Sequence, residues 1–302
     1  MALAAPVFAT PCSAPAGTAN SAGMTSSPAK RGIAILANDK VYKWLLPFLE
    51  SHRQTNAATP LYIVPYDDDV ALTKSAADRY GATFVADDLS EIDALARRLY
   101  PFQPGRRRRL RKLQALALPL DQVIYMDADT VLFRDVAPLF GHLERDRCEF
   151  IIASISPDYV YNDRRKDHDF LRDAILFNDG FFCTSRQFLT VADFLQTIQA
   201  DEKLFHAVRK RGGLFAQPLV NFVVHRKGLA IRSLATCLPG ASDESFYKPV
   251  SAAFDSNGLP VDGDGRQIYF AHWAGANLMP RQGIFDGLWQ TYAHDAAARM
   301  KA

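Results

Sequence analysis

The stretch Gln122–Phe133, which reads Gln-Val-Ile-Tyr-Met-Asp-Ala-Asp-Thr-Val-Leu-Phe, constrains this chain more than any other. Its apolar run Val123–Met126 is short for a helix and rich in β-branched and aromatic side chains, the pattern of a buried strand. Residues two apart on a strand point to the same face, so Asp127 and Asp129 converge where the strand ends. Carboxylates that close repel, and a bound cation is the natural means of keeping both ionised. Open α/β sheets bind ligands beyond the carboxyl ends of their strands, where this pair stands. The plain alternative is an Asp-rich turn after a strand, and the rest of the chain decides between the two.

Upstream, Gly32–Leu36 predicts a buried strand closed by Ala37-Asn38-Asp39. Val41, Leu45, Phe48, Leu49 and His52 then share a helix face. Leu61–Val64 is a second strand, Val70–Arg79 a helix and Thr83–Val85 a third strand, which makes a βαβαβ half of an open parallel sheet. Asp67, Asp68, Asp87 and Asp88 read as turns and helix caps. A helix from Arg106 to Pro119 runs into the Asp127 strand, with Leu110, Leu113 and Ala117 on one face. It opens with six basic residues in seven, Arg106–Lys112, the composition of a solvated face that also suits an anionic lipid surface as a peripheral contact. Lys112, beside the inward Leu113, stands apart from its neighbours.

Downstream, a short helix at Val136–Leu143 and a strand at Glu149–Ala153 precede a polar loop, Ser156–Arg172. Asn178-Asp179-Gly180 between apolar runs is a turn signal: either a plain hairpin or a turn presenting Asn178 to a ligand. Helical spacing covers Arg186–Ile198, Leu204–Arg211 and Gln217–His225, the last stopped by Gly228. Leu238–Arg266 reads as a long polar loop, Gln267–Ala271 as a last strand delivering His272, and Ile284–Met300 as an amphipathic closing helix.

The 302 residues suffice for a sizeable core, and a net charge of +2 offers no global argument for nucleic acid. Cys12, Cys148, Cys183 and Cys237 form no Cys-x-x-Cys pair, which argues against a zinc site or disulfide scaffold and fits a reducing, cytoplasmic setting. Residues 1–30 are almost free of charge and rich in Ala, Ser, Thr and Pro, and read as a disordered extension, with Met24 an alternative start. No apolar run is long enough to span a bilayer.

Assembled, these motifs resemble the nucleotide-sugar-dependent glycosyltransferases of the GT-A fold, above all glycosyltransferase family 8, the family of glycogenin. Tyr125–Thr130 is similar to that family's metal motif, Ala37–Tyr42 to its first nucleotide-binding loop, Asn178–Phe182 to its Asn-x-Gly segment, and Gln217–Asn221 to part of its Asp-Gln-x-x-Leu-Asn segment. Arg111-Lys112-Leu113 resembles its basic donor-contacting position, and His272-x-x-Gly275 its C-terminal His-x-x-Gly. The resemblance implies a mixed α/β GT-A domain over residues 31–302 that moves a sugar from a UDP- or GDP-sugar to an acceptor, saccharide, protein or lipid, with retention. It implies Asp127, Asp129 and His272 as ligands of Mn²⁺ or Mg²⁺. It likewise implies Asn38, Asp39, Tyr42, Asp127 and Gly275 at the nucleotide diphosphate, Lys112 and Asn178 at the donor, and Gln217 facing the reacting carbon. Imidazole ligation favours Mn²⁺ over Ca²⁺.

Two positions depart from the pattern. Ala216 stands where the family has Asp, and Leu278 and Met279 stand where a phosphate-binding Lys is expected. Arg281 is the nearest cation, and reads either as that Lys's replacement or as a solvated residue opening the last helix. Two competing readings follow: a haloacid-dehalogenase-type phosphatase using Asp127-x-Asp129, or a nucleotide-binding scaffold without turnover.

Overall fold

The computed structural model describes residues 29–153, 160–210, 216–247, 249, 251–274 and 283–301. The N-terminal extension, Gly275 and Arg281 lie outside the described residues.

The first half alternates strands and helices. β1 (Arg31–Ala37), α1 (Tyr42–Thr55), β2 (Leu61–Pro65), α2 (Ala71–Tyr80) and β3 (Thr83–Phe84) follow the expected βαβαβ order. Two further helices, α3 (Ser90–Leu99) and α4 (Pro104–Arg109), lead to β4 (Gln122–Asp127). α3 buries Ile92, Leu95, Ala96 and Leu99 on one face, a helical pattern that the sequence reading passed over. The single helix expected from Arg106 to Pro119 is instead α4 followed by a tighter 3-10 segment, Leu110–Leu116, whose Leu110, Lys112, Leu113, Gln114, Ala115 and Leu116 are all buried. Nor is the basic run mainly a solvated face. Arg108 pairs with Asp67, Arg111 with Asp93, Arg107 donates to the Tyr100 carbonyl, and Lys112 is buried.

The second half is less regular. β5 (Thr130–Leu132), β6 (Phe150–Ile152), α5 (Asp169–Arg172) and β7 (Phe181–Ser185) come first, then α6 (Val191–Val208), α7 (Gln217–Arg226), β8 (Ile231–Ser233) and α8 (Leu234–Cys237). β9 (Ala252–Phe254), β10 (Pro260–Asp262), β11 (Phe270–His272) and α9 (Asp286–Lys301) complete the chain. The expected loop Ser156–Arg172 carries a 3-10 turn at Asp163–Asp167 and α5, and the expected loop Leu238–Arg266 carries the antiparallel pair β9–β10. The two helices expected either side of residue 201 are one element bent at Asp201, whose φ of -127° and ψ of 23° leave the helical region. α6 starts late, at a capping box in which Thr190 and Asp193 satisfy each other's backbone amides.

The main sheet has the order β3-β2-β1-β4-β7-β6-β8. β3, β2, β1 and β4 run parallel, whereas β7 is antiparallel to both β4 and β6. The C-terminal ends of β1, β2 and β4 therefore meet at one sheet edge. One apolar layer packs α1 and α2 on the sheet through Leu45, Phe48, Leu49, Ala76 and Ala77, and the other packs α3, α6 and α7 through Leu95, Leu99, Phe194, Leu219 and Phe222. No described helix is long and apolar enough to cross a membrane.

Glu50 ties α1 to its neighbours. Its buried carboxylate accepts from Arg53 and Gln54 on the same helix, from the Tyr80 hydroxyl at the end of α2 (3.0 Å) and from Arg299 on α9 (3.1 Å). Burial alone would raise its pKa, but these donors and the charge of Arg53 outweigh it and bring it from 4.5 down to about 2. A folded-state value below the unfolded one contributes stability that is full above the unfolded value and is lost as pH falls through the folded one. Stability is accordingly expected to fall between about pH 5 and pH 2 by an amount on the order of 3 kcal/mol from this group. Chemical denaturation of the wild type and Glu50→Gln across that range checks this: the variant is less stable at pH 7 and loses less on acidification.

Candidate functional site

β4 ends at Asp127, and its antiparallel partner β7 begins immediately beyond the turn Asn178–Gly180. The Asp127 amide donates to the Gly180 carbonyl at 2.8 Å, so the turn and the strand end are locked together. Asp129 lies in the turn between β4 and β5, and its carbonyl accepts from the Trp273 amide at 2.8 Å. β11 pairs with β5 so that His272 faces Thr130, which sets the imidazole beside both aspartates. His272 Nε2 is 3.1 Å from Asp129 Oδ1 and 3.6 Å from Asp127 Oδ2. One ligand atom from each of Asp127, Asp129 and His272 falls within a mutual 4.8 Å, the compass of a single ion. Two carboxylates and one imidazole are a donor set that can hold a divalent cation.

The sequence-predicted turn residues are explained by this crowding. A Cβ on Gly180 would overlap His272 Cε1 and lie 2.7 Å from Asn178 Oδ1, so only glycine lets the imidazole reach the aspartates. Asn178 Oδ1 accepts from the Gly180 amide at 2.8 Å, closing an Asx turn. The turn is entered from no regular strand: Phe177 is held instead by Asn221 of α7, which accepts from its amide (3.0 Å) and donates to its carbonyl (2.9 Å). A simple hairpin is thereby excluded.

Lys112 is 4% exposed and sits among anions. Its Nζ lies 3.0 Å from Asp179 Oδ2, 3.3 Å from Asp127 Oδ1 and 3.1 Å from the Asp179 carbonyl, over the face of Tyr125. Burial disfavours the ammonium, but Asp127 and Asp179 outweigh it and raise its pKa. Burial would also raise Asp127, yet Lys112, His272 and the Tyr125 hydroxyl (2.7 Å) lower it on balance. Asp179 behaves oppositely: burial, together with the like charge of Asp127, exceeds what Lys112 returns, and its pKa rises. His272 follows the same logic as Lys112, with burial opposed and overcome by Asp129 and Asp127, so its pKa is raised.

These groups line a cleft of about 620 Å³. Asn38, Lys112, Asp127, Asp129, Asn178, Gln217 and His272 all border it. Gln217 opens α7, is 1% exposed, and neither of its amide atoms has a hydrogen-bond partner among the described residues. Asn38 borders the cleft with its Nδ2 donating to Asp67 at 3.0 Å. Asp67 is a buried anchor for Asn38 and Arg108 and also closes the expected turn, its Oδ1 accepting from the Asp69 amide at 3.2 Å. Asp39 and Tyr42 are not among the residues lining the cleft. Asp39 caps α2, accepting from the Leu72 and Thr73 amides and the Thr73 hydroxyl, and Tyr42 begins α1. Lys40, Lys43, Trp44, Tyr66, Arg109 and Asp179 line the cleft without having been picked out as site residues. Tyr66, directly after β2 at the carboxyl edge, was findable from topology; Arg109 was hidden within its basic run.

No protein-family profile and no curated protein matches this chain. Solved structures do. The galactosyltransferase LgtC, in complex with donor and acceptor sugar analogues, matches with a TM-score of 0.53 at 13% identity, over 87% of this chain and 95% of that one. The glycosyltransferase GlyE of Streptococcus pneumoniae TIGR4 gives 0.51 at 12% identity, over 90% and 62%. The bifunctional glycosyltransferase WbbM gives 0.52 at 12% identity, over 91% and 52%, so this chain spans about half of WbbM and three fifths of GlyE. The fold is the α/β GT-A fold, a mostly parallel sheet flanked by helices.

Replacing Gly180 by Ala pushes the imidazole away from Asp127 and Asp129. Its Mn²⁺ affinity, measured by calorimetry, is expected to fall at least about tenfold, or ~1.4 kcal/mol, whereas Asp39→Ala costs about 1 kcal/mol of stability through the lost cap and leaves Mn²⁺ binding unchanged.

Proposed function

We propose that the protein is a metal-dependent glycosyltransferase that moves a sugar from a nucleoside diphosphate sugar to an acceptor hydroxyl. The observation that carries this reading is the convergence of Asp127, Asp129 and His272 on one point of a cleft at the carboxyl edge of a GT-A sheet, with Lys112 and the unpartnered Gln217 beside it. Asp127, Asp129 and His272 would hold Mn²⁺, or Mg²⁺ as the alternative. When bound, the cation supplies Lewis-acid stabilisation of the charge that develops on the departing diphosphate.

This chain's residues divide the remaining work. Lys112, already charged and oriented by two carboxylates, places a second positive group at the donor. Asn38 borders the nucleotide end, with Asp39 acting behind it through α2 and Tyr42 through the start of α1. Asn178 and Gln217 face the transferred sugar, with Gln217 at the reacting carbon. LgtC has itself been solved as an active-site variant exchanging glutamine for glutamate, which agrees with a glutamine in that role. The acceptor oxygen bonds the anomeric carbon on the face from which the diphosphate departs as that bond breaks, and its hydroxyl proton passes to the departing phosphate oxygen, with retention as the family 8 resemblance implies. Gly275 and Arg281 would complete the diphosphate contacts. We place the activity in a single domain, residues 31–302, and in the cytoplasm on the strength of the cysteine pattern.

A phosphatase using Asp127 as nucleophile is disfavoured by its surroundings. That carboxylate is engaged by Lys112 and the Tyr125 hydroxyl and faces His272, which such a reaction leaves without a role. A scaffold without turnover is separated by kinetics.

Calorimetry with UDP and GDP, with Mn²⁺ or with EDTA, tests the reading. One of the two nucleotides is expected to bind with Mn²⁺ and weakly or not at all in EDTA; equal binding in both refutes metal dependence. A panel of nucleotide sugars scored for release of free nucleotide then identifies the donor. On that donor Asp129→Asn should fold normally and lose roughly a thousandfold in rate, about 4 kcal/mol of transition-state stabilisation.

A further inference from the structure

The cleft contains a carboxylate that the metal-ligand set does not use. Asp179 is buried, lines the cleft beside Asn178 and Gln217, and reaches Lys112 with both its side chain and its carbonyl. Lys112 is thereby shared between Asp179 and Asp127. Asp127 meets Lys112 with Oδ1 and faces His272 with Oδ2, so a cation at the triad would compete for the charge of that carboxylate, and a buried ammonium short of negative charge is costly. Asp179 is the remaining anion, and it keeps Lys112 charged and in place whichever partner Asp127 takes.

That duty occupies one side of the carboxylate. Every described partner of the Asp179 side chain is Lys112, which leaves acceptor capacity toward the cleft. Gln217 lines the same cleft with both ends of its amide buried and unpartnered, a cost that a ligand's hydroxyl groups would remove. Ala216, next to it, lines the cleft with a small side chain and leaves room for a ring. An acceptor-only carboxylate and an amide that both donates and accepts match neighbouring hydroxyls of a neutral sugar. The same carboxylate repels a ligand that carries a negative charge of its own at that point.

We propose that Asp179 is a donor-selecting residue: it accepts a hydroxyl of the transferred sugar, with Gln217 meeting a second, and so restricts the donor to uncharged, hydroxyl-bearing sugars and rejects uronic acids. The inference rests on the transferase reading above and narrows its substrate class. Asp179 also positions Lys112, so the test must separate the two roles. Loss of Lys112 positioning weakens neutral and acidic donors alike, whereas loss of selection changes their ratio.

The experiment measures dissociation constants with Mn²⁺ for UDP, UDP-glucose and UDP-glucuronate, and for GDP, GDP-mannose and GDP-mannuronate. The wild type is expected to bind the neutral sugar nucleotide at least tenfold more tightly than its uronate counterpart in the series whose base it accepts. Asp179→Asn, of the same shape and without the charge, is expected to bring that ratio to within threefold, whereas any loosening of Lys112 lowers the affinity for bare nucleotide, neutral donor and acidic donor by a common factor that cancels in the ratio. Asp179→Ser serves as a second variant, and because each ratio is internal to one protein, a partly unfolded sample does not alter it. A wild type without preference, or variants that keep the wild-type ratio while still binding nucleotide, overturns the assignment of Asp179 and leaves the transferase reading standing. A wild type that binds neither UDP nor GDP with Mn²⁺ overturns both.

Discussion

Like charge packed at the end of one strand is the constraint around which this structure is arranged. Asp127, Asp129 and Asp179 converge within a cleft whose described buried basic side chains are Lys112 and His272. Carboxylates crowded in a poorly hydrated place destabilise one another unless each is met by a positive group or a hydrogen bond. The chain meets Asp127 with Lys112 from the 3-10 segment and Tyr125 from its own strand, and Asp129 with His272 from the last strand. Each of these comes from a different region of the sequence, so the site cannot form before the sheet, the 3-10 segment and β11 are assembled. A cation at the triad would relieve the remaining repulsion, which makes metal affinity and local order two expressions of the same electrostatics.

Strand direction explains how so many groups reach one point. A parallel neighbour of β4 would begin at the opposite edge and leave its preceding turn far from Asp127. Because β7 runs antiparallel, its preceding turn Asn178–Gly180 falls at the edge where β4 ends. β11 runs antiparallel to β5 and finishes where β5 starts, which brings His272 to the same edge. The parallel half supplies that edge with Leu36, Asn38 and Tyr66 in the usual way of open sheets. The reversal in the second half adds the imidazole and the turn. The glycine in that turn follows from the packing: the imidazole occupies the space where a Cβ would stand.

How much of this was legible beforehand depended on the length of the pattern. β1, β2 and β4 each carry four or more apolar residues in a row and were readable as strands, with β1 and β2 in one parallel half; the pairing of β4 with β1 was not readable. The approach of Asp127 to Asp129 was readable from their place at a strand end, whereas His272 was joined to them only through the resemblance to family 8. β9 and β10 were not: each spans three residues, too few for a period to declare itself, and polar turn formers surround them. Asp39 shows a second limit. A residue type that caps a helix is also one that binds a ligand, and the cap that Asp39 makes with the Leu72 and Thr73 amides is a tertiary fact that its sequence context does not reveal. Asp179 failed for the converse reason. Inside Asn-Asp-Gly it reads as turn chemistry, and its approach to Lys112, 67 residues upstream, is a tertiary fact.

The C-terminal helix belongs to the same argument. Trp44 on α1 packs against Trp273 (6.5 Å between ring centroids) and Trp289 (5.3 Å), so the chain's three tryptophans form one cluster under the rim of the cleft. Trp273 directly follows His272, and its indole Nε1 donates to Asp286 at the start of α9 at 3.3 Å. Arg299, near the other end of α9, reaches Glu50 on α1. A helix pinned at both ends against α1 thereby fixes the residue next to the imidazole, while the Ser245 carbonyl and Tyr247 amide hold the His272 backbone from the other side. The aromatic cluster borders the cleft through Trp44 and restricts where the His272 ring can sit. A ligand whose position is set by packing on both sides loses little further freedom when an ion arrives, which raises the affinity that two carboxylates and one imidazole can achieve.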